Sequence, residues 1–279
     1  MNRLIILLSI FSLIVISCEP QKNKSEKIET SKEKEIVFAY NLNEPSQKFI
    51  LPNKLSEISG LSYYSENMLV CINDELGIIY HYDLEKEEIS KTIDFGKNGD
   101  YEGVEMVDGL TYVLNSTGKI TVVNVEGEII ETIDCSLKQV SEYEGIGFEA
   151  LTNSLLLAAK EERGEKKIYS YNLNDHSYQV KFTLPKSMIE SNGTGKEFKP
   201  SGIAVNPQTG DIYVLASTGK KIMVLNNKGE KKTQYNLDSE LFRQPEGICF
   251  SPEGDLFIAS EGRGVKGYVL KFIPANILQ

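Results

Sequence analysis

Apolar residues in this chain fall into short runs of four to six, separated by polar turns that usually carry a glycine. Residues 201–237 show the pattern most plainly: "SGIAVNP", "IYVLA", "KIMVLN" and "KTQYNL" are four β-rich runs divided by "QTGD", "STGK" and "NKGE". Runs of this length, bounded by glycine turns, predict β-strands joined by tight hairpins. No stretch of the core shows a sustained 3.6-residue period, so the fold class is all-β.

The runs repeat. Ser59-Gly60-Leu61, Glu102-Gly103-Val104, Glu144-Gly145-Ile146, Ser201-Gly202-Ile203 and Glu246-Gly247-Ile248 each open the same order of strands, at spacings of 43, 42, 57 and 45 residues. Four strands per roughly 43 residues match the blade of a β-propeller. Five motifs predict five blades of four antiparallel strands. The last copy has only three strands, "GICFS", "DLFIAS" and "GYVLKFI", whereas "QKFILP" at 47–52 resembles the fourth strand "VKFTLP" at 180–185. An N-terminal strand completing the last blade would close the ring and remove an exposed sheet edge. One run is left over: "VFAYNL" at 37–42 looks like the third strand "IYSYNL" at 168–173, which leaves a six-bladed count open. The long spacing comes from "KSMIESNGTGKEF" at 186–198, expected to be a mobile surface insertion.

The N-terminus has a different composition. Arg3 precedes an apolar run from Leu4 to Ile16, then "SCEP". Thirteen residues are too few to cross a bilayer as a helix, which takes about 20, but suit the apolar segment of a signal peptide. "VISC" resembles a bacterial lipoprotein cleavage box. Residues 1–17 are therefore expected to be a lipoprotein signal peptide and Cys18 the lipidated N-terminus. Residues 19–35 hold five Lys, five Glu and one apolar side chain, a mixture that cannot bury a core. Together, 18–35 are expected to form a lipidated, disordered tether to the cell envelope, with the membrane as partner. Residues 36–279 would then be a single propeller domain.

That domain keeps 24 basic and 35 acidic side chains, a balance that disfavours nucleic acid and attracts cations. Cys71, Cys135 and Cys249 lie in apolar runs and are expected to be buried thiols rather than a disulfide framework. Two histidines, His81 and His176, are too few for a histidine-based zinc site. Phosphate-loop, nucleophile-elbow and Cys-x-x-Cys patterns are absent from the sequence.

Candidate chemistry gathers at one face. Antiparallel neighbours bring the start of a blade's first strand and the end of its second to the same side of the disc. The first set is Ser59, Glu102, Glu144, Ser201 and Glu246, with Glu57 two residues earlier in blade I. The second holds Asn73, Asp74 and Glu75, then Asn115-Ser116-Thr117, Glu161 and Glu162, Ser217-Thr218, and Ser260-Glu261. Carboxylates converging on a channel mouth repel one another, and a hard cation relieves the repulsion. Calcium needs six to eight oxygens and neither histidine nor cysteine. Glu57, Asp74, Glu75, Glu102, Glu144, Glu161, Glu246 and Glu261 are therefore the candidate ligands for Ca2+. The competing structural reading has each acid accept backbone hydrogen bonds or pair with a base, with Arg163, Arg243 and Arg263 as candidate partners.

"DYEGVEMVDGLTYVL", "YEGIGFEALTNSLLLAAKEERGEKKIY" and "QPEGICFSPEGDLFIASEG" resemble the SdiA-regulated propeller family, with likeness running from residue 47 to 273. The resemblance implies an exported envelope protein with calcium-linked or phytase-like roles. Blade II departs from the acidic pair that the resemblance leads one to expect after the second strand, having Asn115-Ser116-Thr117 instead. Three functions remain in play: a module binding a cation or small ligand, a metal-dependent hydrolase of phytase or lactonase type, and a protein-interaction platform.

Overall fold

The computed structural model describes residues 39–162, 165–189 and 197–275. The expected signal peptide, Cys18, the tether, the start of the 37–42 run, Arg163 and the tip of the insertion lie outside the described residues.

Five four-stranded antiparallel sheets make a five-bladed propeller. Blade I comprises β2 (Ile58–Ser65), β3 (Met68–Asn73), β4 (Ile78–Asp83) and β5 (Glu88–Asp94). Blade II comprises β6 (Tyr101–Val107), β7 (Leu110–Asn115), β8 (Lys119–Val123) and β9 (Ile129–Asp134). Blade III comprises β10 (Val140–Glu149), β11 (Ser154–Glu162), β12 (Lys166–Asn172) and β13 (Tyr178–Leu184). Blade IV comprises β14 (Gly202–Val205), β15 (Ile212–Ala216), β16 (Lys221–Leu225) and β17 (Lys231–Asn236). Blade V comprises β18 (Pro245–Phe250), β19 (Leu256–Ser260) and β20 (Tyr268–Phe272), completed on its outer edge by β1 (Gln47–Ile50). Pairing from Gln47 opposite Lys271 to Ile50 opposite Tyr268 closes the ring as expected.

Burial follows strand order. Second strands such as β3 and β15 are buried on both faces and read as continuous apolar runs, whereas the outer strands β5 and β9 are largely exposed. The core is divided among the interfaces between blades. Leu61, Cys71, Phe257 and Phe49 pack between blades V and I, while Leu156, Ile168, Val214 and Met223 pack between III and IV. Cys71, Cys135 and Cys249 are buried free thiols within this packing.

The ring glycines allow the inner strands to approach one another. A Cβ on Gly60 would lie 2.9 Å from Gly103 Cα, and one on Gly202 would lie 2.6 Å from the Glu246 carbonyl. Such separations exclude any side chain, because the obstacle is backbone. Glycine is thus required at the hub irrespective of the residue before it.

Two expectations need correction. The described part of the 37–42 run, residues 39–42, is not a strand: Tyr40 and Leu42 are buried against blades IV and V, and Tyr40 Oη donates to the Gly254 carbonyl at 2.7 Å. Residues 39–42 therefore plug an interface, and the described residues form five blades with no sixth. The insertion at 186–198 is also anchored at its ends. Lys186–Ile189 form one helical turn, α1, and the Phe198 N–H donates to the Ile189 carbonyl at 2.9 Å with both side chains buried. The apolar bulk of Ile189 and Phe198 draws these two ends onto blades III and IV.

Candidate functional site: an acidic channel mouth

The residue before each ring glycine begins the innermost strand, and the last residues of the second strand return to the same face. Together they enclose a cavity of about 180 Å³ walled by Glu57, Asp74, Glu102, Glu142, Glu144, Glu246 and Glu261, with Ser59, Gln244 and Lys160. Blades I, II, III and V each contribute acids. Below this mouth the channel narrows to about 10 Å³ between Gly60, Gly103, Gly145, Gly202 and Gly247 and the side chains after them. A guest in the mouth therefore has no open path through the disc, since so small a space holds at most one water.

Six of the eight sequence-designated acids share this cavity: Glu57, Asp74, Glu102, Glu144, Glu246 and Glu261. Glu75 and Glu161 do not. Glu75 is exposed outside it. Glu161 accepts from Lys199 and lies near Lys166, and the Lys199 ammonium holds its carboxyl below the usual range. Its neighbour Glu162 turns inward instead, accepting from Lys167 at 2.8 Å and from the Tyr169 hydroxyl.

The reason lies in β10, whose pairing with β11 shifts register between Val140 and Glu142, between Glu142 and Tyr143, and between Tyr143 and Gly145. Bulges re-aim side chains near the end of a strand. They bring Glu142 and Lys160 to the mouth, two residues that the motif alignment did not select. The alternation "EYE" at 142–144 carried a signal, since residues two apart on a strand share a face. Single carboxylate oxygens of Glu102, Glu142 and Glu144 lie within 4.8 Å of one another.

Electrostatic strain is concentrated here. Burial, followed by the adjacent Asp100, raises the Glu102 carboxyl to about 8. Glu246 is raised to about 7, chiefly by burial and against hydrogen bonds from Gln244 and Ser217 and the charge of Lys160. Burial and then Glu57 raise Asp74; burial, Asp74 and Glu57 raise Glu261. Asp74 Oδ1 and Ser59 Oγ are buried with no hydrogen-bond partner, and Ser59 is only 6% exposed.

Among the described residues the ion pairs at the mouth come from a lysine; of the expected arginines, Arg163 lies outside these residues and Arg263 acts on Glu261 through its charge without an ion pair. Lys160 Nζ lies 2.9 Å from Glu142 and also bonds Glu144. No arginine makes an ion pair among the described residues. Arg263 donates to Gln244 at 2.5 Å, Gln244 in turn donates to Glu261, and Arg243 is exposed. In blade IV the equivalent position is structural: Ser201 Oγ donates to the Pro245 carbonyl at 2.7 Å and accepts from the Ser217 N–H. His81 is buried against Tyr64, and His176 Nδ1 pairs with Tyr171 at 2.8 Å, so neither is near the mouth.

A family model described as SdiA-regulated matches residues 43–263. A search of curated proteins found no match. Among solved structures, the luciferin-regenerating enzyme is similar at 10% identity over 84% of this chain and 96% of that one, with a TM-score of 0.53. A chain of a nidogen/laminin complex is similar at 14% identity over 73% and 72%, with a TM-score of 0.51. A protein of unknown function from Bacteroides thetaiotaomicron VPI-5482 is similar at 11% identity over 78% of this chain and 56% of that one, with a TM-score of 0.54. At these identities the likeness shows the propeller fold alone.

Proposed function

The chain belongs to the SdiA-regulated family, and from that premise we propose that it is a cation-binding module whose acidic mouth takes calcium. The observation that carries this reading is the pair of orphaned oxygens, Asp74 Oδ1 and Ser59 Oγ, buried beside a set of carboxylates of which the one lysine among the described lining residues pairs only with Glu142 and Glu144. Glu57, Asp74 and Glu261, with the Ser59 hydroxyl, would hold the ion, and Glu102 and Glu246 would supply further oxygens across the channel. This all-oxygen set matches calcium's requirement, and about 180 Å³ leaves space for several coordinating waters.

A bound cation would favour the ionised form of carboxylates that burial and mutual repulsion now hold partly protonated. Binding would release protons near neutral pH. The module would be carried on the cell envelope by a lipid on Cys18, a role supported by the sequence before residue 19. Hydrolysis of a polyanion such as phytate fits the mouth less well, since Lys160 is the one basic residue lining it among the described residues.

Calorimetry and thermal melting of the full chain with calcium test the reading. Heat of binding and a rise in Tm are expected, both weakened at least tenfold in concentration dependence by Asp74→Asn and Glu261→Gln. Silence up to millimolar calcium, or equal binding by both variants, would overturn it. Turnover of phytate or a lactone, lost in the same variants, would replace a binder with a hydrolase.

A further inference from the structure

The face opposite the acidic mouth carries a second cavity of about 310 Å³. Two residues after each ring glycine the inner strands place Ser62, Glu105, Gly147, Ala204 and Cys249. Side chains two apart on a strand share an orientation, so this position continues the glycine row. Four of the five residues are small, and the channel, sealed just above by Leu61, Val104, Ile146, Ile203 and Ile248, widens here into a funnel.

Glu105 is the exception in the row. Its Oε1 accepts from Ser62 Oγ at 2.6 Å and from the Met106 N–H at 2.9 Å, and its Oε2 accepts from the Phe148 N–H at 3.1 Å. Three donors leave about one acceptor position on a carboxylate unused. Tyr63, Met106, Phe148, Val205 and Phe250 supply an apolar lining, and no lysine, arginine or histidine lies among the described residues around the cavity. The other four blades build the same position without an acid, so the ring does not need one for packing. A fixed carboxylate without a basic partner, set in an apolar cavity of ligand size, has the composition of a small-molecule site.

We propose that this cavity binds a small, largely apolar molecule through one protonated amine, with the ammonium on Glu105 and the apolar body against Met106, Phe148 and Phe250. This site is independent of the acidic mouth: the sealed glycine ring lies between them, and its occupant is held by apolar contact as well as charge. Burial raises the Glu105 carboxyl to about 7 against the pull of its three donors, and an ammonium partner would favour the ionised form.

Phenethylamine is a suitable probe, with phenylacetate as the like-charged control, each titrated into the full chain by calorimetry and ligand-observed NMR. The amine is expected to bind and the acid to give no signal. Phenyl protons should give cross-peaks to Met106 and Phe148. Glu105→Gln keeps the side-chain shape and should weaken the amine at least about tenfold, the scale of losing one charged hydrogen bond. No binding at millimolar amine, equal affinity in Glu105→Gln, or cross-peaks to Ile58 and Glu102 at the acidic mouth would each overturn the proposal. Should Glu105→Gln fail to fold, the wild-type cross-peaks and the preference for amine over acid decide the matter alone.

Discussion

The Lys160 ammonium lies 2.9 Å from the Glu142 carboxylate and also bonds Glu144, so one residue of β11 neutralises two acids of β10. Among the described residues, the rest of the acidic mouth has no such ion pair. Lys160→Met should therefore destabilise the calcium-free protein by about 1–3 kcal/mol, since buried charged acceptors lose their donor. Calcium affinity should rise in the same variant, because the mouth loses a positive charge that acts on Glu102 and Glu246. Melting curves with and without calcium read both effects, and a variant unchanged in both would show that Lys160 has no such role.

Stability of the calcium-free protein should fall as pH rises from about 5 to 8. Glu102 sits at about 8, and Glu246 and Glu105 at about 7, when folded, against about 4.3 for an unfolded glutamate. Between those values the folded state binds more protons than the unfolded state, and stability then decreases with pH. Calcium should flatten the slope by stabilising the ionised carboxylates of the mouth. Tm measured across this range decides; a flat or rising profile without calcium would contradict the placement of these acids.

Gly60→Ala should destabilise the ring by about 1–3 kcal/mol, because the new methyl would meet Gly103 Cα and Val104 N at 2.9 Å and backbone cannot step aside. Gly96→Ala is the matched control. Its Cβ would have only the Tyr101 hydroxyl within 4 Å, at 3.9 Å, and the position is exposed. Denaturant midpoints of the two variants should separate clearly. Similar midpoints would remove close strand approach as the reason for the hub glycines.

Phe49→Ala tests the closure of the ring. Phe49 is 5% exposed, sits on β1 and packs with Phe257 and Val269 between blades V and I. Its truncation should cost about 3 kcal/mol. Loss of β1 would also bare the edge of β20, so the variant should aggregate at lower temperature than the parent, as light scattering would show.

Much of the architecture was legible before any coordinates, because each blade must repeat the same alternation and the same hub glycine. The five glycine motifs, the closing strand at 47–50 and the burial of three cysteines followed from local pattern. Tyr40 and Leu42 misled because a buried apolar run has the same composition whether it is a strand or a plug. Ile189 and Phe198 were hidden in a polar insertion for a related reason: two apolar residues nine apart carry no period.

The sequence by itself determined that acids would meet at one face, since residues at equivalent repeat positions must share a radius and a height in a closed ring. Only the tertiary structure decided which of them share a cavity. Bulges in β10 brought in Glu142 and Lys160, while Lys199 drew Glu161 aside and Glu75 faced solvent. Charge interactions depend on separation through space and on burial, and neither quantity is written in the spacing of residues along a chain.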